Sequence, residues 1–103
     1  MGHVNIIYFN NVPKQFGALT QNEWHELDWD SVHRDDGPAV IAFNGRQEWF
    51  KHGKCHREDG PAIIIDDKYA FYLHDIELSF DSYIEVLERI NPEMAVLVKL
   101  TWG

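Results

Sequence analysis

Eight residues, His33-Arg34-Asp35-Asp36-Gly37-Pro38-Ala39-Val40, return 23 positions later as His56-Arg57-Glu58-Asp59-Gly60-Pro61-Ala62-Ile63. Six of the eight positions are identical and the other two are conservative changes. After a one-residue deletion the match resumes, with Trp49-Phe50-Lys51-His52 against Phe71-Tyr72-Leu73-His74. A fixed period of this kind means one supersecondary unit built twice, each copy burying its apolar face against its neighbour. It also means that residues in equivalent positions do the same local job.

The unit reads as a β-hairpin. Asp-Gly-Pro is a corner, because Gly relieves backbone strain and Pro starts the next segment. Residues 38–43 then form a strand, Asn44-Gly45 is a two-residue hairpin turn with φ > 0 at both positions, and Gln47 to Phe50 return. Residues 51–54 turn again. In the second unit Ala62 to Ile65 run out, Asp66-Asp67 turn, and Lys68 to Leu73 return. A third copy would place His at position 79, where Ser79 stands instead. From there Phe80, Tyr83, Leu87 and Ile90 recur at helical spacing behind a Ser79 cap. Asn91-Pro92-Glu93 starts a further segment with a capping Asn, a Pro and a first-turn acid. Residues 93–100 have both helical and strand character, since Val96 and Val98 favour a strand. Ahead of the repeats, Val4 to Phe9 read as a strand ended by Asn10-Asn11-Val12-Pro13. Thr20 and Glu23 match a capping box for a short helical turn through Trp24 and Leu27.

The expected fold is therefore α+β: antiparallel β-hairpin repeats forming a small sheet, closed by one or two C-terminal helices. Residues 1–103 are expected to form a single domain, with an N-terminal strand and cap over 1–31, two hairpin repeats over 32–78 and a helical cap over 79–103. With 45% hydrophobic and 14% aromatic residues the chain has the means to fold without disulfides or metal.

His-Arg-x-Asp-Gly-Pro-Ala, a Gly turn and an aromatic pair together resemble the MORN-like repeats of bacteriophage proteins. The resemblance covers residues 33–78, and the amphipathic helix after Leu78-Ser79-Phe80 is similar to the tail of such proteins. It implies short antiparallel hairpins stacked side by side, and protein interaction or scaffolding in place of catalysis.

Charge narrows the partners. Nine basic residues against 17 acidic ones give −8 with the histidines neutral. Such a chain repels phosphate backbones at long range, so direct nucleic-acid binding is not expected. No apolar run is long enough to span a bilayer, so no membrane partner is expected either. The opening Met1-Gly2-His3-Val4 lacks a basic region followed by a long apolar one, and the single Cys55 forms no intrachain disulfide; the expected location is the cytoplasm, that of the host if the chain comes from a phage.

Six histidines raise a metal reading: His3, His25, His33, His52, His56 and His74. Zinc needs three or four converging ligands, and the best local group is His52, Cys55 and His56. Yet His33 and His56 are repeat-equivalent, as are His52 and His74, which points to each His bonding its own turn. The same logic makes His33, Arg34, Asp36, Gly37, Pro38, His56, Arg57, Asp59, Gly60 and Pro61 structural, each Arg bracing its corner through a carboxylate or turn carbonyl. No catalytic pair, metal or cofactor is expected. The neighbouring carboxylates Asp35/Asp36, Glu58/Asp59 and Asp66/Asp67 lack the contrast in environment that acid and base roles need.

The candidate partner surface is the acidic, aromatic stretch Glu23, Trp24, Glu26, Asp28, Trp29, Asp30, Asp35 and Asp36. Aromatics anchor interfaces, and carboxylates select a basic partner. The leading functional expectation is a non-enzymatic, phage-derived interaction module that binds and inhibits a host defence or nucleic-acid-processing protein. Two other classes stand beside it: an acidic nucleic-acid mimic aimed at a nuclease or DNA-binding protein, and a metal-dependent enzyme using the histidine group. Open sheet edges also allow a homodimer.

Overall fold

A computed structural model describes residues 4–103. His3 lies outside the described residues. The strands are β1 (Asn5–Phe9), β2 (Val12–Phe16), β3 (Val40–Ile41), β4 (Gln47–Glu48), β5 (Phe50–Lys51), β6 (Lys54–Cys55), β7 (Ile63–Ile65), β8 (Lys68–Leu73) and β9 (Ile76–Leu78). The helices are α1 (Gln21–His25), α2 (Phe80–Ile90) and α3 (Pro92–Trp102), with a 3-10 turn at Trp29–Ser31. Seven strands form one antiparallel sheet in the order β2-β1-β3-β4-β7-β8-β9, and β5 and β6 pair separately. This is the α+β architecture expected, with two C-terminal helices closing it.

Local chemistry explains most of the elements. Asn10 and Asn11 take φ of 50° and 69°, so the chain does not simply stop after β1 but doubles back as β2. Pro13 is tolerated there because β2 is an edge strand, where a missing N–H breaks no second ladder. His52-Gly53 and His74-Asp75 have the same backbone, with φ of 50° and 82°, and 50° and 70°. Asn10-Asn11 share this pair of positive φ values, so the N-terminal hairpin turns with the same backbone as the two repeats.

The first repeat departs from a simple hairpin. Only Val40–Ile41 and Gln47–Glu48 pair across it. Asn44-Gly45 is not a two-residue turn with φ > 0 at both positions: Gly45 alone has positive φ, at 88°. The Ala42 N–H donates to the Arg46 carbonyl, and Asn44 Oδ1 accepts from the Arg46 N–H, closing a longer loop. Beyond Glu48 the return strand is interrupted at Trp49, whose N–H donates to the Ala62 carbonyl, and Phe50–Lys51 pair with Lys54–Cys55 instead.

The helices follow their caps. Thr20 and Glu23 form the reciprocal capping box, but α1 ends at His25, short of Leu27. Ser79 Oγ accepts from the Ser82 N–H, and Asn91 Oδ1 from the Met94 N–H. Residues 93–100 are helical throughout: the Asn91 cap, Pro92 in the first turn and the burial of Ala95 and Val98 outweigh the strand preference of two valines. α3 also carries Val96, Leu97 and Leu100 exposed on its outer side.

Two apolar clusters hold the sheet. One joins Ile7, Val32, Ala39 and Val40 to half-buried Trp24, Trp29 and Phe50. The other joins Leu73, Tyr83, Ile84, Leu87, Ala95 and Val98 to Phe71, Phe80, Met94 and Trp102. The helices therefore cover the second repeat. Among the described residues no helix is long and apolar enough to cross a membrane.

Candidate functional site

The repeated His-Arg-x-Asp-Gly-Pro segment is a braced corner, built twice with the same bonds. The His33 N–H donates to the Tyr8 carbonyl (3.0 Å), and the His56 N–H to the Trp49 carbonyl (3.1 Å). His33 Nδ1 accepts from the His52 N–H at 3.0 Å, as His56 Nδ1 does from the His74 N–H at 3.0 Å. An accepting Nδ1 is unprotonated, so in the neutral ring Nε2 carries the proton. It donates to Asp35 Oδ1 at 2.8 Å in the first corner and to Glu58 Oε2 at 3.1 Å in the second. His52 and His74 lay their own rings against these, with centroids 4.1 and 4.6 Å apart.

The arginines do matching work. Arg34 Nε donates to Asp36 at 2.9 Å and its Nη1 to the Pro38 carbonyl at 3.1 Å. Arg57 bonds Asp59 at 2.7 Å and the Pro61 carbonyl at 3.0 Å. Each guanidinium sits 4.0 Å over an aromatic ring, Arg34 over Tyr8 and Arg57 over Trp49. The stacking and the carbonyl bond need a flat, forked cation, which is why the position is Arg and not Lys.

Between the corners lies a groove of about 660 Å³. Its walls are Asp35, Asp36, Gly37 and Pro38 on one side and His56, Arg57, Glu58 and Asp59 on the other, with Trp49, Lys51, Asn91 and Met94 completing it. Four carboxylates share that lining with Lys51 and Arg57. Asp35, Asp36, Glu58 and Asp59 keep 65%, 85%, 42% and 59% of their side chains exposed, so lone pairs remain for a visitor.

Asp35 is the most strongly held of the four. The Asn11 amide donates to Oδ2 at 2.9 Å and Lys51 Nζ to Oδ1 at 3.2 Å. These bonds, Asn11 first and Lys51 second, stabilise the carboxylate and bring its pKa down to about 2. A depressed folded pKa means the contribution is complete above the ordinary Asp value and disappears as pH falls through about 2. In a carboxyl-carbon NMR titration Asp35 should ionise near pH 2, and Asn11→Ala should return the midpoint toward the ordinary Asp range. An unchanged midpoint in Asn11→Ala would refute the assignment to that amide.

The acidic aromatic stretch does not form one surface. Trp24 and Trp29 stack at 6.3 Å, Trp29 Nε1 donates to the Trp24 carbonyl at 2.7 Å, and Trp29 meets Phe50 at 5.5 Å. Both indoles pack on the core and line a separate cavity of about 360 Å³ with Val40, Phe43, Arg46 and Glu48. Glu23 is engaged in the α1 cap, where the Thr20 N–H lowers its pKa, and Asp28 accepts from the Ser31 hydroxyl at 2.7 Å. Glu26 and Asp30 are exposed. Of the eight residues, only Asp35 and Asp36 line the corner groove. Trp49, Lys51, Glu58, Asn91 and Met94 are walls that the sequence does not single out, and His56, Arg57 and Asp59 are read from it as structural alone. The 23-residue spacing of Asp35 and Glu58 was the available signal, because it sets two acidic corners on the same side of the sheet.

The His52, Cys55, His56 group is not a chelate. Both ring nitrogens of His56 are already bonded, to the His74 N–H and to Glu58. Cys55 is buried, and desolvation pushes its thiol up to about 12, away from the thiolate that a metal requires. Among the described residues no group of three or more His, Cys, Asp or Glu could hold a metal ion.

No family model matches the chain. No curated protein and no solved structure matches it either.

Proposed function

We propose that this chain is a non-enzymatic interaction module of phage origin that grips a basic surface of a host protein and blocks it. The observation that carries the reading is the groove between the two repeat corners, whose lining includes four partly exposed carboxylates and Trp49. A rigid scaffold holds them: each corner is fixed by the His and Arg bonds of its own repeat, so little ordering is lost on binding. Charge complementarity speeds and orients the encounter, and Trp49 in the lining adds apolar surface to the contact. The phage origin rests on the resemblance of residues 33–78 to MORN-like repeats.

The test is affinity capture from bacterial lysate with the tagged protein and with an Asp36→Asn/Glu58→Gln variant. Both changes keep an acceptor oxygen and remove charge. The wild type should retain one stoichiometric partner, and the variant should lose at least about 90% of it, as expected when charge complementarity drives a contact. A partner retained equally by both proteins would remove the groove from the interface, and no partner at all would refute the reading.

A further inference from the structure

The two corners are alike in sequence and bonding but not in cover. Over the second corner, the Tyr83 hydroxyl bonds the carbonyls of Arg57 and Gly60, and Trp102 lies beside the Arg57 guanidinium, 6.0 Å from its carbon to the ring centroid. A Cβ placed on Gly60 would stand 2.9 Å from Trp102 Nε1 and 3.0 Å from Arg57 Cζ, so the indole and the guanidinium meet over that glycine. Gly60 and Pro61 are buried. At the first corner the Arg34 half of this arrangement is repeated, with Arg34 Cζ 2.9 Å from a Cβ built on Gly37. The indole half is not: among the described residues the ring over Arg34 is Tyr8, whereas Arg57 has both Trp49 and Trp102. Gly37 and Pro38 are half-buried and open into the corner groove.

The geometry points to the first corner as a seat for an aromatic side chain, supplied by a basic segment of a partner protein. This deepens the proposed function and rests on it. The molecule itself shows what the seat accepts, because Trp102 fills the equivalent place in the second repeat. A flat ring on Arg34 gains the cation–π attraction that Trp102 gains from Arg57. The same ring would cover the Gly37-Pro38 edge, as the helices cover Gly60 and Pro61. Asp35, Asp36 and Asp59, which line the groove with Gly37 and Pro38, then favour Lys or Arg on either side of the aromatic.

The probes are two capped tripeptides, acetyl-Lys-Trp-Lys-amide and acetyl-Lys-Ala-Lys-amide, titrated into the ¹⁵N-labelled protein. The Trp peptide should shift the Gly37 amide and the Arg34 Nε–H and bind about five-fold or more tightly than the Ala peptide, the range a partly desolvated cation–π contact supplies. Arg34→Lys keeps the charge but loses the flat face and the Pro38 brace. Where its Gly37 amide shift matches the wild type it should abolish the Trp preference, and a retained preference would overturn the seat. Where that shift moves, the comparison of the two peptides on the wild type decides. Equal affinity for both peptides, or Trp-dependent shifts centred elsewhere, would overturn the aromatic seat while leaving an acidic groove in place. Binding of neither peptide also overturns the seat, and the capture experiment then decides the groove reading by itself.

Discussion

Tyr83→Ala should destabilise the fold by about 4–5 kcal/mol, close to the whole stability of many domains this size. Tyr83 is completely buried. Its ring packs 4.8 Å from Phe71 within the cluster that joins α2 and α3 to β8. Its hydroxyl reaches the Arg57 and Gly60 carbonyls, so one side chain ties the helical cap to the second corner. Burial holds the phenol protonated, with its pKa raised, which keeps it a donor at all ordinary pH. Removing the ring costs about 3–5 kcal/mol through lost burial and the cavity left behind, and the orphaned carbonyls add to that. Tyr83→Phe separates the two contributions, since it keeps the ring and should cost only about 1–2 kcal/mol. Urea denaturation followed by fluorescence measures both. A Phe variant as unstable as the Ala variant would mean that the hydroxyl, not the packing, secures the cap.

The parts of the fold legible in the sequence are those that local chemistry decides. Ser79 and Asn91 announce the two helices because a cap is a contact between near neighbours. The repeat announces its corners because His33 and His56, or Arg34 and Arg57, bond within two to four residues of themselves. What stayed hidden depends on distant residues. Nothing in Asn10-Asn11 says that the chain will return as β2, nor that Asn11 will bond Asp35 across 24 positions. The stacking of Trp24 and Trp29 on each other and of Trp29 on Phe50 is likewise not written in the local sequence. The groove was half visible. Its acidic walls follow from the period, but the difference between its two corners depends on where a helix begun at Pro92 delivers Trp102.

Gly53→Ala should cost about 3 kcal/mol or more, although it adds a single methyl group on a turn. Two effects combine. Gly53 has φ of +82°, a conformation that costs an L-residue roughly 1–2 kcal/mol. A Cβ there would also stand 2.5 Å from the Trp29 carbonyl oxygen and 2.9 Å from Asp30 Cα, both backbone atoms of the 3-10 turn. Such a contact forces the backbone to move, and overpacking typically adds about 1–3 kcal/mol. The displaced segment carries Trp29, so its stack on Trp24 and Phe50 should loosen as well. Gly45→Ala is the control. Its φ is +88°, but nothing lies within 4 Å of the added carbon, so only the conformational cost of about 1–2 kcal/mol applies. The second repeat carries the same logic in reverse. Asp75 occupies the place of Gly53 with φ of 70°, and its carboxylate accepts from the Cys55 N–H at 3.2 Å. A side chain is thus accommodated at this turn where the 3-10 segment does not press on it. Thermal melts of the two alanine variants, with near-ultraviolet circular dichroism for the tryptophan stack, give the comparison. Equal losses at Gly45 and Gly53 would show that the 3-10 turn yields freely, and that φ alone dictates glycine at position 53.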